Sequence, residues 1–446
     1  MTADPQLLQE LLKTARKCGA DRADAMLVSS TAISALCRKG VPEGMEHSET
    51  TGLGLRVFVG QRAAIVSATE LTPGRFEQLA QQAVAMARVV PEDRYAGLGD
   101  PTTQGIADIA ALDIVDTHAA PDLPALLTRA RMAEEAALAV NGVTNTNGAS
   151  ASYGRMDVAL ADSQGFAGNY ARTSHSTSVS VLAGEGAQMQ RDYAGHSVVH
   201  LSDLDDAETL GREAGERAVQ RLNPTKPRTG QFPIVYDKRV SGSLLSHLAG
   251  AINGAAIARG TSFLAKKRGG RILPLGLSVI DDPLRHRGMR SRPFDAEGFH
   301  AAPLNLVEDG ILTEWVLDSR SAQQLGLTSN GRASRGTGSP PSPSISNLYL
   351  SGGDIPFDDL LSDIREGILI NELMGSSVNG LTGDYSRGAS GFMIRDGKIA
   401  EPVAELTIAG NLIDMFQQIR AADDLEFRRG VDAPTIRIDG MSIAGA

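Results

Sequence analysis

Asn223 to Gly230 (NPTKPRTG) carries two prolines, a terminal glycine and no other apolar residue, and it falls at the middle of a 446-residue chain. Proline removes a backbone donor and biases the residue before it away from helix, so neither a helix nor a central strand can run through this stretch. A chain of this length also exceeds what one ordinary core accommodates. Two domains are therefore expected: residues 1–222, a linker at 223–230, and residues 231–446.

The pattern on each side differs. Before the linker, Asp4 and Pro5 mark a helix start, Leu7, Leu8, Leu11, Leu12 and Ala15 form its apolar face, and Gly19 ends it. Ala25–Val28 and Ile33–Cys37 read as short strands. Gly52–Val59 and Ala63–Ala68, turned at Gly60, read as a hairpin. Thr72-Pro73 opens a second helix, Leu123–Val140 a third, and Asp205–Leu222 a fourth, with alternating Ser/Thr-rich strands over 143–201 between the last two. After the linker, Phe232–Tyr236 reads as a strand, Ser241–Ala258 as one Ala/Gly-rich helix, and Phe357–Ile370 as another. The remainder reads as strands and turns, with Ser329–Ser346 (SNGRASRGTGSPPSPSIS) a long mobile loop. Helices and strand clusters are grouped instead of alternating, which predicts an α+β fold: N-terminal helices with antiparallel strands, then a strand-rich C-terminal domain.

Charge and composition exclude several classes. The net charge of −10, with Lys and Arg scattered, disfavours nucleic-acid binding. Cys18 and Cys37 are too few for a disulfide framework or a cysteine zinc site. The N-terminus shows no basic and apolar leader pattern, and no run approaches membrane length, so no membrane role and a cytoplasmic location are expected.

Hydrolytic chemistry requires recognisable sets of ligands, bases or nucleophiles. A helical H-E-x-x-H or H-E-x-x-x-H would put two imidazoles on one face beside a carboxylate base; neither occurs. His196 and His200 lie in strand-like sequence, about 13 Å apart by strand rise, too far for one metal. No G-x-S-x-G elbow and no phosphate loop is present. Asp281-Asp282, and Asp203, Asp205 and Asp206, read as solvated turn or helix-start residues. The most distinctive segment is Val378–Asn411. It has a glycine-punctuated loop carrying Asp384, Tyr385, Ser386 and Arg387, then a strand, a turn at Asp396-Gly397 and a second strand. Ser386, His247 and Asp384 supply the residue types of a hydrolytic set.

Three blocks resemble the TldD/PmbA peptidase family, also labelled modulators of DNA gyrase: Gly52–Thr72, Ser243–Thr261 and Gly383–Asn411, the last containing GDYSRGASGF and ELTIAGN. The second block resembles the TldE/PmbA half of that family. Where the TldD half carries H-E-x-x-x-H, this chain has Ser246, His247 and Ala251, and the region LEFRRGVDAPTIRIDG lacks the cysteine that serves there as third ligand. The resemblance implies a subunit without its own metal or catalytic residues. It implies a TldD-type partner that holds zinc, or a homodimer, and an unfolded peptide as substrate. His247, Asp384, Tyr385, Ser386 and Arg387 would face the peptide path or the partner. An autonomous hydrolase built on Ser386, His247 and Asp384, and a non-enzymatic protein-binding modulator, remain open alternatives.

Overall fold

A computed structural model describes residues 4–70 and 72–445. Met1–Ala3, part of the leader reading, and Leu71, inside the Gly52–Thr72 block, lie outside the described residues, as does Ala446. Helix α1 (Pro5–Lys17) starts where Asp4 accepts from the Gln6 amide and buries Leu8, Leu11, Leu12 and Ala15. Strand β1 (Arg22–Arg38) contains both predicted short strands in one 17-residue run, because Ser29–Ala32 pair as regularly as the apolar residues around them. Then come β2 (Val41–Val59), β3 (Arg62–Ala68) and α2 (Phe76–Val89). The Thr72-Pro73 signal produces a single 3-10 turn, Pro73–Arg75, before α2 begins at Phe76. The helices α3 (Ile109–Leu112) and α4 (Leu123–Leu138), strands β4 (Val143–Asp162), β5 (Ala167–Ala183) and β6 (Gln190–Val198), and α5 (Ala207–Gln220) follow.

These strands form one antiparallel sheet in the order β3-β2-β1-β4-β5-β6. Strand alternation gives the sheet two faces. Leu53, Leu55, Val57, Ala64 and Val66 pack under α1 and α2, while Ala149, Ala151, Val179 and Val181 pack under α4 and α5. The opposite face, with Met26, Val158, Leu160 and Tyr170, turns toward the second half of the chain. Asn223–Gly230 lies along that second half: the Thr225 amide donates to the Pro402 carbonyl at 2.9 Å.

Beyond it run β7 (Gly230–Tyr236), α6 (Gly242–Ala251), α7 (Gly254–Ala258), β8 (Ser278–Asp281), β9 (Leu304–Glu308), β10 (Ile311–Leu312) and α8 (Ser319–Leu325). The next elements are β11 (Ala333–Ser334), β12 (Ser342–Pro343), β13 (Leu348–Ser351), α9 (Phe357–Ser362), β14 (Glu366–Val378), β15 (Asp384–Arg395) and β16 (Lys398–Asn411). Last are α10 (Leu412–Gln417), β17 (Arg420–Ala421), β18 (Val431–Asp432) and β19 (Ile436–Ala444). One sheet has the order β16-β15-β14-β7-β19-β17, and β16 also pairs with β19, so five strands close into a ring. Closure removes the open edges that a sheet must otherwise protect. A second sheet, β10-β9-β8-β13-β18, shares the same continuous core.

Four expectations fail here, each for a physical reason. Ser241–Ala258 is two helices, because Asn253 leaves helical geometry and caps α7 by accepting from the Ala255 amide at 3.0 Å. Phe357–Ile370 ends as a helix at Ser362; Gly367–Ile370 is fully buried strand pairing with both β7 and β15, and a short apolar run of that kind has no period to betray it. Ser329–Ser346 is held by buried ion pairs and the β11–β12 bridge: Arg332 pairs with Asp281 and Arg335 with Asp24. Its Thr337 carbonyl packs so closely on Gly54 of β2 that a Cβ there would sit 2.0 Å away. Asp281 is consequently fully buried and paired, not solvated, whereas Asp206 caps α5 and Asp282 sits in a turn as expected.

Candidate functional site

Of the residues singled out in the sequence, His247 of α6 meets Tyr385 of β15, with Arg387 on the same face. Helix α6 buries Leu244, Leu245, Leu248 and Ala251, which leaves Ser246 exposed and His247 half-buried at the border of the core. Strand β15 begins at Asp384, so Asp384–Arg387 is not a loop but the first turn of pleat, paired to Asn411–Ile408 of β16. Alternation then sorts the four side chains. Tyr385 and Arg387 share one face and Asp384 and Ser386 the other.

On the first face, the His247 and Tyr385 rings stand edge to face, 5.8 Å between centroids and 78° between planes. The Tyr236 hydroxyl donates toward that of Tyr385 at 3.5 Å and also lies 3.5 Å from the Met441 sulfur. Arg387 donates its Nε–H to the Gly375 carbonyl at 2.8 Å. Burial, and then the Arg387 charge, hold the His247 imidazole below its ordinary 6.5, so it is neutral at pH 7. Burial pushes both phenols upward, Tyr236 well above its usual value. The His247 Nε2 is buried with no hydrogen-bond partner among the described residues. An orphaned buried polar atom costs about 1–3 kcal/mol, so this ring edge marks a place where something else can bind.

The opposite face belongs to a turn. Asp384 accepts from Thr382 Oγ1 at 2.6 Å and from Asn411 Nδ2 at 3.1 Å, and these bonds hold its carboxyl below the usual range. It does not pair with Arg387. Ser386 lies on this side, away from the face that meets His247. The three residue types of a Ser-His-Asp set are therefore present but divided by the strand.

The other histidines are engaged separately. His196 pairs with Asp205 at 3.1 Å and His200 with Asp113 at 3.2 Å, so they do not converge. Ser246 folds its hydroxyl back onto the Gly242 carbonyl at 3.1 Å, and Ala251 is in the core. Among the described residues, no group of three or more His, Cys, Asp or Glu side chains is arranged to hold a metal ion. Ser246, His247 and Ala251 do not fit zinc: a hydroxyl satisfied by its own helix, one imidazole and a methyl group cannot form a ligand set.

Residues missed in the sequence lie between the N-terminal sheet and the second half of the chain. A cavity of about 580 Å³ is bordered by Arg56, Phe58, Tyr95, Glu297, Asp318 and Pro341. Beside it, Asp24 binds Arg56, with Nε 2.8 Å away, and Arg335. Glu297 is buried near Asp295, and burial first, then that neighbouring carboxyl, push it up to about 8. These groups come from segments far apart in the chain, and no local spacing signals them.

Three profiles of one family match the chain: PmbA/TldA metallopeptidase domain 1 over residues 23–87, the central domain over 116–222, and the C-terminal domain over 229–445. Metalloprotease PmbA of Escherichia coli O157:H7 is 35% identical over 449 residues, covering 99% of this chain and 97% of that one. The crystal structure of a Bacteroides thetaiotaomicron protein described as a modulator of DNA gyrase aligns with a TM-score of 0.90 and 26% identity, covering 99% of this chain and 98% of that one. TldE from Thermococcus kodakarensis shares the fold, with a TM-score of 0.86 at 19% identity over 98% of this chain and 100% of that one. The scaffold is thus that of a metallopeptidase family. This chain belongs to the TldD/PmbA family. Among the described residues, no helix is long and apolar enough to cross a membrane.

Proposed function

We propose that this chain is the PmbA-type, TldE-like subunit of a two-chain cytoplasmic zinc peptidase acting on unfolded peptides, with zinc and base contributed by a TldD-type partner. The observation that carries the reading is helix α6. It stands where the family's zinc helix is expected, yet it offers Ser246, His247 and Ala251, whose groups are respectively self-bonded, solitary and apolar. His247, Tyr385 and Arg387 then line a wall instead of performing chemistry. A neutral imidazole with one free ring nitrogen and a guanidinium can hydrogen-bond a passing peptide carbonyl. Extended peptides would be held chiefly through main-chain bonds, which give affinity with little side-chain preference.

Metal analysis joined to a peptidase assay tests this. The purified chain should carry no stoichiometric zinc and turn over no peptide alone, and turnover should appear when a TldD-type chain is added. Stoichiometric zinc with chelator-sensitive hydrolysis by this chain alone would overturn the proposal.

A further inference from the structure

A second cavity, of about 390 Å³, opens on the same side of the N-terminal sheet, and its charge is unusual. Four guanidiniums line it: Arg172 from β5, and Arg290, Arg292 and Arg335 from the second half of the chain. One carboxylate, Asp295, faces them. That carboxylate is already committed, accepting from the Glu297, Phe299 and Ala333 amides at 2.8, 3.0 and 2.9 Å. The side chains of Arg172 and Arg290 have no ion pair or hydrogen bond among the described residues. Arg292 spends one nitrogen on the Ala333 carbonyl at 3.0 Å, and its Nε and Nη2 are buried without partners. The Arg335 side chain is only 3% exposed; Asp24 holds its Nη1, and its Nε and Nη2 are also buried without partners. Burial, then the charges of Arg290 and Arg292, lower the Arg172 pKa, as like charges crowded together must.

Buried guanidinium nitrogens without acceptors, as on Arg292 and Arg335, are expensive, and folding alone gives no reason to add Arg172 and Arg290 beside them. An anion repays that cost. The planar fork of arginine matches a carboxylate through two parallel hydrogen bonds. The rest of the lining is apolar, with Met26, Val158, Leu160, Phe294 and Ile345, and the volume lies within the usual range for a small-molecule or peptide-end pocket.

We infer that this cavity binds the C-terminal carboxylate of a peptide whose last residue is apolar, the guanidiniums taking the carboxylate and the Met26–Ile345 wall taking the side chain. The inference rests on the peptide-handling reading above and adds to it a recognition element for chain ends. An internal peptide segment offers no such terminal charge, so the cavity distinguishes a free end from the middle of a folded or uncut chain.

The test is fluorescence anisotropy with the full chain and a labelled unstructured peptide ending in leucine, prepared as the free acid and as the C-terminal amide. The acid should bind about ten-fold more tightly, in line with hydrogen bonds to a charged group. Arg172→Gln and Arg290→Gln should each erase most of that difference while leaving amide binding unchanged. Arg290 is exposed and unpaired, so its variant serves if Arg172→Gln impairs folding. Equal binding of acid and amide, indifferent to both variants, would sink this inference and leave peptide handling intact. Failure of the chain and of its complex with a TldD-type partner to bind either peptide would remove both readings. Inorganic phosphate occupying the cavity without competing with the acid peptide would overturn the peptide assignment.

Discussion

Two regions of this molecule present opposite chemistry. Around α6 and β15, aromatic and aliphatic groups fill the space, and burial holds the His247 imidazole toward its neutral form. Between the N-terminal sheet and the second half of the chain, charge dominates: Asp24 with Arg56 and Arg335, Glu297 beside Asp295, and four guanidiniums around a cavity. The first region has the packing of a core. The second holds buried polar atoms without partners among the described residues.

The sharpest way to break this contrast is to remove the charge that organises the second region. Asp24→Ala leaves Arg56 and Arg335 buried without their carboxylate and should cost about 3–5 kcal/mol in urea unfolding. A loss below about 1 kcal/mol would mean the network is dispensable. The pH dependence comes next. Glu297 is pushed from an ordinary 4.5 up to about 8, so its neutral form is favoured by folding. Its contribution is fully present below pH 4.5 and is lost as pH rises through about 8. Thermal unfolding should therefore fall in midpoint between pH 6 and 9, and Glu297→Gln should flatten that slope. A profile that stays steep in the variant assigns it to another group.

The first region should respond far less. Tyr385→Phe removes only a long hydroxyl contact and should cost under about 1 kcal/mol by denaturant titration, with the ring packing on His247 retained. The smallest effect is expected at Ser386. Because it lies across the strand from His247, Ser386→Ala should leave peptide turnover by the two-chain complex unchanged. Loss of turnover with the fold intact would restore a serine mechanism.

The α+β class and most N-terminal elements were legible because their signals are local. Asp4-Pro5 starts α1, Gly60 turns the β2–β3 hairpin, and Asp206 caps α5. The absence of H-E-x-x-x-H at Ser246–Ala251 is equally plain in the sequence. What could not be read depends on partners far along the chain. Ser329–Ser346 looks mobile by composition, since composition counts apolar groups and not the carboxylates that fix Arg332 and Arg335. Gly367–Ile370 shows no period because both faces are buried, and Asp384–Arg387 reads as a loop because its β16 partner is two dozen residues away.

The sequence by itself determined which chemical groups exist: no zinc pair on the α6 segment, no cysteine near the C-terminus, one histidine at the critical helix. Tertiary structure alone decided which of them meet. It put Tyr385 and Arg387 beside His247 and turned Asp384 and Ser386 away, because a strand alternates its faces. It also gathered Arg172, Arg290, Arg292 and Arg335 into one cavity. Spacing along a chain records side-chain type and local period; convergence of groups more than a hundred residues apart depends on how sheets and helices pack.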